Sequence, residues 1–315
     1  MRVLVTGGLG YVGGVVALRL VQAGHQVAVL TRGGGRPPPA GAVTLVGDLR
    51  DRDRVRDLVA AFRPEAACHL AGLVRVRDSF ADPVGYHATN VGGTANLLGA
   101  LAAHAERAGR PAPVVLASAA AVYRPGLDGA LAEEAPCGPT SPYGASKLAA
   151  EGLLARVAAT GAVAAVSLRC GVVAGAVGRH GDGDRSRLLP RALAVAGGRE
   201  RAMAVNGDGS AMREYTHVAD VAEAYLLALG AARAGRPVVY NVGSGTSASV
   251  REVLAAVERV TGRRLAVDHR PAGEEPWALV LDSGRIRREL GWRPARPSLE
   301  VMVADAWAWQ RAATG

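Results

Sequence analysis

Apolar residues follow two rhythms over the first two-thirds of the chain. Short, nearly unbroken runs predict strands: RVLVTGG from Arg2, QVAVLTR from Gln26, AVTLVGDLR from Ala42, EAACHLAG from Glu65, PVVLASAAAV from Pro113 and VAAVSLRCGVV from Val163. Between them lie longer segments with one apolar face, which predict helices. These are YVGGVVALRLVQAGH from Tyr11, DRDRVRDLVAAF from Asp51, VGGTANLLGALAAHAE from Val91 and SPYGASKLAAEGLLARVAA from Ser141. Strands that alternate with helices and are apolar on both faces predict an α/β fold with a parallel sheet covered on both sides.

After about residue 172 the rhythm loosens. VAGAVGRHGDGDRSR reads as a Gly- and Asp-rich loop and LLPRALAVAGG as a helix, while PVVYNVGSG predicts a strand returning to the main sheet. SVREVLAAVERVTG is an amphipathic helix, and the tail from Asp268 to VMVADAWAWQRAA belongs to a smaller C-terminal α/β lobe. GGGRPPP, residues 33–39, reads as a flexible turn. The expected division is a nucleotide-binding domain over 1–172 plus about 215–248, and a lobe over about 173–214 and 249–315.

Composition narrows the function classes. The chain has 315 residues, of which 49% are hydrophobic and 21% charged, as in ordinary globular proteins. Its formal charge of +9 would suit a polyanion, but the arginines are scattered and alternate with aspartates from Arg50 to Asp57. No basic block with interleaved aromatics is present, so nucleic acid is not an expected partner. Cys68, Cys137 and Cys170 are too few and too far apart for a disulfide framework or a structural zinc site, and no metal is expected. The apolar N-terminus carries glycines at a spacing unlike a signal peptide. No run reaches the ~20 apolar residues of a membrane span. The expectation is a cytoplasmic protein that uses no membrane.

TGGLGYVG, Thr6 to Gly13, ends the first strand and opens the first helix. Gly7, Gly10 and Gly13 allow a tight turn, close backbone approach to a pyrophosphate and close helix–strand packing. The helix N-terminus adds free N–H groups for phosphates. Where an NAD-preferring fold carries an acid after the second strand, this chain has Thr31-Arg32, and a guanidinium there favours NADP over NAD. Asp48 ends a strand where its carboxylate could reach the adenine, and Ala71-Gly72 would let the cofactor pass closely.

One residue stands out against the Arg-rich background. Of 37 Lys plus Arg, 36 are Arg and one is Lys147, four residues after Tyr143. That spacing puts both on one helix face. A nearby cation is expected to lower the phenol pKa from about 10 and suit Tyr143 for proton transfer at a carbinol.

Together, TGGLGYVG, GDLR, HLAG, YHATNVGGT, VYR, SPYGASK, MREYTHVADVAEA and YNVGSG resemble, in order, the extended short-chain dehydrogenase/reductases, and most of all the nucleotide-sugar epimerases of the UDP-glucose 4-epimerase type. The resemblance spans nearly the whole chain. It implies a Rossmann doubly wound sheet, a cofactor of the NAD(P) type, a nucleotide diphosphate-sugar substrate bound by the lobe, and a homodimer. It also implies C4 epimerisation through a 4-keto sugar, with Tyr143, Lys147 and Ser118 as catalytic residues. Tyr11, Val12, Leu49, Leu70, Arg75, Asn90, Ser118 and Cys170 join the expected cofactor contacts, and Ala119, Val172, Arg187, Leu188, Ala204, Asn206, Arg213 and Arg270 the substrate contacts.

Three departures qualify it. Ala119 stands where the family carries a catalytic Ser or Thr, four residues before Tyr123, leaving Ser118 as the hydroxyl at this strand end. No acid occupies Ala119 to Ala121, which disfavours dehydratases and decarboxylases. Val172 replaces a common Asn, and Asn206 a common aromatic. An NADPH-dependent ketoreductase of keto sugars is the alternative, and a non-catalytic cofactor sensor the third reading. His217 reads as a helix starter, not a catalyst.

Overall fold

A computed structural model describes residues 1–34, 36–271 and 279–313. Gly35 of the predicted turn and residues 272–278 of the predicted lobe lie outside them. The chain begins β1 (Arg2–Thr6), α1 (Tyr11–Gln22), β2 (Gln26–Thr31), β3 (Ala42–Val46), α2 (Arg52–Phe62), β4 (Ala66–His69). Two short helices, α3 (Val76–Ala81) and α4 (Pro83–His87), lead through a π-helical turn at Ala88–Gly92 into α5 (Gly93–Ala108). Then come β5 (Ala112–Ala119), the two-residue β6 (Ala130–Leu131), α6 (Pro142–Ala159) and β7 (Val163–Cys170).

The remainder holds β8 (Val172–Ala174), β9 (Ala176–Val177), β10 (His180–Gly181), α7 (Leu188–Ala196), β11 (Met203–Asn206) and β12 (Met212–His217). It continues with α8 (Val218–Ala231), β13 (Val238–Val242), β14 (Ser247–Ser249), α9 (Val250–Thr261) and β15 (Val267–Arg270). β16 (Val280–Leu281), α10 (Gly284–Leu290) and α11 (Leu299–Ala312) close it.

Seven parallel strands form the main sheet in the order β13-β7-β5-β4-β1-β2-β3. The chain starts at β1, runs outward to β3, then crosses back to β4 on the other side. The crevice between β1 and β4 is therefore the topological switch point, where doubly wound folds bind ligands. Alternation within β1 explains the layering. Val3 and Val5 face α1 and α8 with Val15, Val16 and Tyr225, while Leu4 faces α2, α5 and α6 with Val55, Leu97 and Leu154. A third cluster, outside the main sheet, joins Leu193, Met203, Val205, Val257 and Val303 from α7, β11, α9 and α11.

Local chemistry sets the helix ends. Asp51 caps α2 by accepting from the Arg54 amide at 3.0 Å. Ser141 caps α6 by accepting from the Gly144 amide at 3.1 Å, with Pro142 in the first turn. His217 starts α8, its Nδ1 accepting from the Ala219 amide at 3.0 Å.

Two segments differ from expectation. The 173–187 stretch contains the β8 strand, paired with β12, and a β9–β10 hairpin, rather than a loop alone. Strands of two or three residues are too short to show a period, and Gly175 and Gly178 turn the chain between them. The described part of the 33–39 segment is docked: Arg36 lies 5.3 Å from the Trp309 ring centroid, and Arg179 donates to the Pro37 and Pro38 carbonyls at 2.7 and 2.8 Å.

An ion pair ties α6 to β7 in the interior. Arg169 donates to the Glu151 carboxylate at 2.7 and 3.0 Å, and both side chains are 6% exposed. Its guanidinium also stacks 4.8 Å from the Tyr123 ring centroid, and Tyr123 donates to Asn241 Oδ1 at 2.7 Å. Arg169→Met leaves Glu151 buried without its partner and should cost about 3–5 kcal/mol in urea unfolding. Adding Glu151→Met should recover most of that loss.

Candidate active site

The site grows from the ends of β1 and β4. Gly7 adopts φ +71°, and a Cβ there would meet the Ala71 amide at 2.7 Å. A Cβ at Gly13 would overlap the Gly7 carbonyl, so α1 can approach the end of β1 this closely only with glycine at 13, while glycine at 7 lets the chain after β4 pass close by. The Gly10 amide donates to the Gly7 carbonyl at 2.9 Å and closes the turn. No side chain caps α1 and no acid sits in its first turn, so its N-terminus keeps its positive character toward the crevice.

A polar relay fixes the two strand ends. Thr6 Oγ1 lies 2.6 Å from His69 Nδ1 and accepts from the Ala71 amide at 3.1 Å. His69 Nε2 lies 2.9 Å from Thr94 Oγ1. Burial, with Lys147 nearby, lowers the His69 pKa to about 3, so the ring stays neutral. Asn90 completes the support: it accepts from the Leu73 amide at 2.8 Å and donates to the Leu73 carbonyl and Ser146 Oγ at 3.0 and 2.9 Å.

Above these ends lies a cleft of about 1100 Å³. That is at or above the ~300–1,000 Å³ of sites for one drug-sized ligand, leaving room for two ligands side by side. Gly7, Gly10, Tyr11, Val12, Gly13, Thr31, Arg32, Asp48, Leu49, Leu70, Ala71 and Gly72 line one arm. Ser118, Ala119, Tyr143, Lys147 and Cys170 line the centre. Val172, Arg187, Leu188, Ala204, Asn206, Arg213 and Arg270 line the far arm.

Two expected contacts fall elsewhere. Arg75 is not on the cleft wall; it pairs with Asp184 at 2.9 and 3.1 Å. Asn90 also lies behind the wall, its amide spent on Leu73 and Ser146. Asp48 lines the cleft, but its carboxylate accepts from the Arg50 guanidinium at 2.6 Å. That bond above all lowers its pKa to about 2.

At the centre, Lys147 is 5% exposed and donates to the Ala117 carbonyl at 2.9 Å. Its ammonium lies 6.0 Å from the Tyr143 ring centroid. The Tyr86 and Tyr143 rings meet edge to face at 6.4 Å, and Ala119 packs in the same small apolar cluster. This surrounding corrects one expectation. Burial raises the Tyr143 phenol pKa, and the opposing charge of Arg187 does not cancel that rise. Burial also lowers Lys147 to about 8, with Glu151 pulling the other way.

Residues 143, 147 and 151 share one helix face at i, i+4 spacing. Ser118 Oγ is buried and has no hydrogen-bond partner among the described residues. Orphaned buried hydroxyls are rare, and a polar ligand would satisfy this one. With the glycine cradle beside it, this end of the cleft fits a dinucleotide.

Sequence reasoning missed many wall residues, among them Glu214, Asp182, Tyr225 and Trp309. Glu214 is 1% exposed and accepts from the Gly245 and Leu281 amides at 2.7 and 2.9 Å, with its pKa raised by burial. It follows Arg213 in MREYTHV, so the motif contained the signal. Asp182 holds Arg187 at 3.0 Å, and Tyr225 and Trp309 also line the cleft. The Tyr11 hydroxyl donates to the Gly175 carbonyl at 2.7 Å, linking α1 to the 175–187 segment.

Known proteins resemble this chain over nearly its whole length. The model of the NAD dependent epimerase/dehydratase family matches residues 3–243. The UDP-glucose 4-epimerase of Streptomyces lividans is 40% identical, over 98% of this chain and 95% of its own. Among solved structures, a Stenotrophomonas maltophila UDP-glucose 4-epimerase with bound NAD and formylated UDP-arabinopyranose superposes with a TM-score of 0.89. It is 34% identical and covers 100% of this chain and 99% of its own. A Brucella ovis UDP-glucose 4-epimerase in complex with NAD gives a TM-score of 0.89 at 30% identity, over 98% and 97% of the two chains.

The buried ammonium gives a stability signature. Between about pH 8 and 10.5 the folded chain has lost the Lys147 proton while the unfolded chain keeps it. Unfolding then takes up a proton, so stability rises with pH, by up to about 3 kcal/mol for this group. Chemical unfolding without added ligand should show this rise, and Lys147→Met should flatten it.

Proposed function

The chain belongs to the NAD dependent epimerase/dehydratase family, and on that premise we propose that it is a nucleotide-sugar epimerase acting at C4, with UDP-hexoses as substrates. The observation that carries this is the union, in one cleft, of the glycine cradle, the Tyr143–Lys147 pair and an arginine-lined arm, in a chain alike end to end to UDP-glucose 4-epimerases. The division into a cofactor domain (1–172 with about 215–248) and a sugar-nucleotide lobe (the rest) is part of this proposal. So are the cytoplasmic setting and the homodimer. Exposed Phe80 and Val84, at 62% and 78%, support an interface beside α5 and α6.

NAD is the proposed cofactor, in place of the NADP that Thr31-Arg32 alone favours. Asp48 lines the same arm as Arg32 and stays ionised down to about pH 2. Its charge, shared with Arg50, also acts on Arg32 and so weakens that guanidinium's pull on a 2′-phosphate. The two solved relatives hold NAD as well. When bound, the nicotinamide would take hydride from the sugar C4 and return it to the other face of the transient ketone.

The chain's own groups do the rest. Tyr143 stands at the centre of the cleft to exchange a proton with the C4 hydroxyl. Lys147 is anchored by Ala117 and has further donors for a ribose and the phenol. Ser118 offers its unpartnered hydroxyl at the strand end where Ala119 offers only a methyl. Arg187, Arg213 and Arg270 all line the cleft and are the groups that would hold a diphosphate. A ketoreductase would need to release its cofactor every turnover, and no feature of the cleft favours that.

Purified protein should interconvert UDP-glucose and UDP-galactose without added reductant. Tyr143→Phe should lower kcat by about 10²–10⁴-fold while bound NAD, released by denaturation and identified by mass spectrometry, stays at one per chain. Ala119→Ser should raise kcat roughly two- to tenfold, as one added hydrogen bond of about 0.5–1.5 kcal/mol would.

A further inference from the structure

A second cavity, of about 660 Å³, opens at the other end of the main sheet, beside the starts of β1 and β5 and the ends of α2 and α5. The length of β1, some ~17 Å for a five-residue strand, separates it from the cleft. Five arginines and His104 line it, against two carboxylates.

Both carboxylates are already engaged. Glu65 pairs with the Arg110 guanidinium and accepts from the Arg2 amide at 2.8 Å, and these bonds lower its pKa to about 2. Asp57 pairs with Arg56 at 3.0 Å. Arg63 and Arg107 have no carboxylate within ion-pair distance among the described residues. Both act on the same imidazole that lines the cavity: burial first, then the charges of Arg107, Arg2, Arg63 and Arg110, lower the His104 pKa.

The backbone adds a second sign. Arg63 is the one non-glycine residue with positive φ among those described, at +53°, in the cap position of α2 where Gly or Asn is usual. A charged side chain there strains the backbone yet lines the cavity. Like charges gathered in a concave wall concentrate positive potential, which an anion relieves.

We propose that this cavity binds a multiply charged phosphate anion, independently of the cleft. Guanidinium forks from Arg63, Arg107 and Arg2 would each grip phosphate oxygens, and neutral His104 would donate one hydrogen bond. The chemistry is shared by an inorganic phosphate chain and a nucleoside triphosphate.

The test is NMR of the His104 ring, with NAD and UDP in excess to occupy the cleft, during titration with tripolyphosphate or ATP. Saturable binding with a rise in the His104 pKa is expected. Arg63→Gly combined with Arg107→Gln should weaken it about tenfold or more, as loss of two charge-assisted contacts would. Glycine suits the left-handed cap and Arg107 is exposed, so the double variant keeps the fold. Equal affinities would identify the phosphate chain as the whole ligand, and tighter ATP would add a base contact; either supports the site. A response no larger than that to potassium chloride at matched ionic strength, or one the double variant retains, overturns it.

Discussion

The reacting end of this molecule rests on one ammonium held out of water. Burying a charge is costly unless partners meet it. Here the Ala117 carbonyl takes one Lys147 N–H, and Glu151, one turn further along α6, supplies opposite charge that Arg169 shares. Those partners fix how α6 sits on β5 and β7, and so where Tyr143 stands. Arg, with its wide planar head and pKa above ~12, could neither fit this slot nor titrate near neutrality. That accounts for one lysine in a chain that otherwise uses arginine throughout.

The same economy of space shapes the cofactor arm. Gly13 lets α1 close on the end of β1, Gly7 lets the chain after β4 pass beside it, and the Thr6–His69–Thr94 relay holds β1 to β4 where the strand order reverses. On the far arm, Asp182 holds Arg187, and the Tyr11 hydroxyl ties the same segment back to α1. The two ends of the cleft are thereby linked through side chains and not only through the covalent chain.

Much of this was legible beforehand. Parallel strands buried on both faces write themselves as unbroken apolar runs, so the sheet and its helices could be read from RVLVT onward. The glycine loop and the Tyr143–Lys147 spacing are local patterns that survive without coordinates. What was not legible depends on direction and burial. Asn90 and Arg75 hold the expected positions in the chain, but their side chains bond to Leu73 and to Asp184 instead of facing the cleft. The Tyr143 pKa moves up and not down because desolvation, which no motif records, outweighs the neighbouring charge. β8 to β10 are too short to announce a period, and Arg36 meets Trp309 across most of the sequence.

In the proposed reaction, hydride leaves and returns to the same sugar carbon within one cleft. The direct measurement is turnover of UDP-glucose carrying deuterium at C4, with product analysed by mass spectrometry. The expected product is UDP-galactose that keeps its deuterium, with none appearing in free cofactor or solvent. Loss of the label, or its transfer to released nicotinamide, would contradict it.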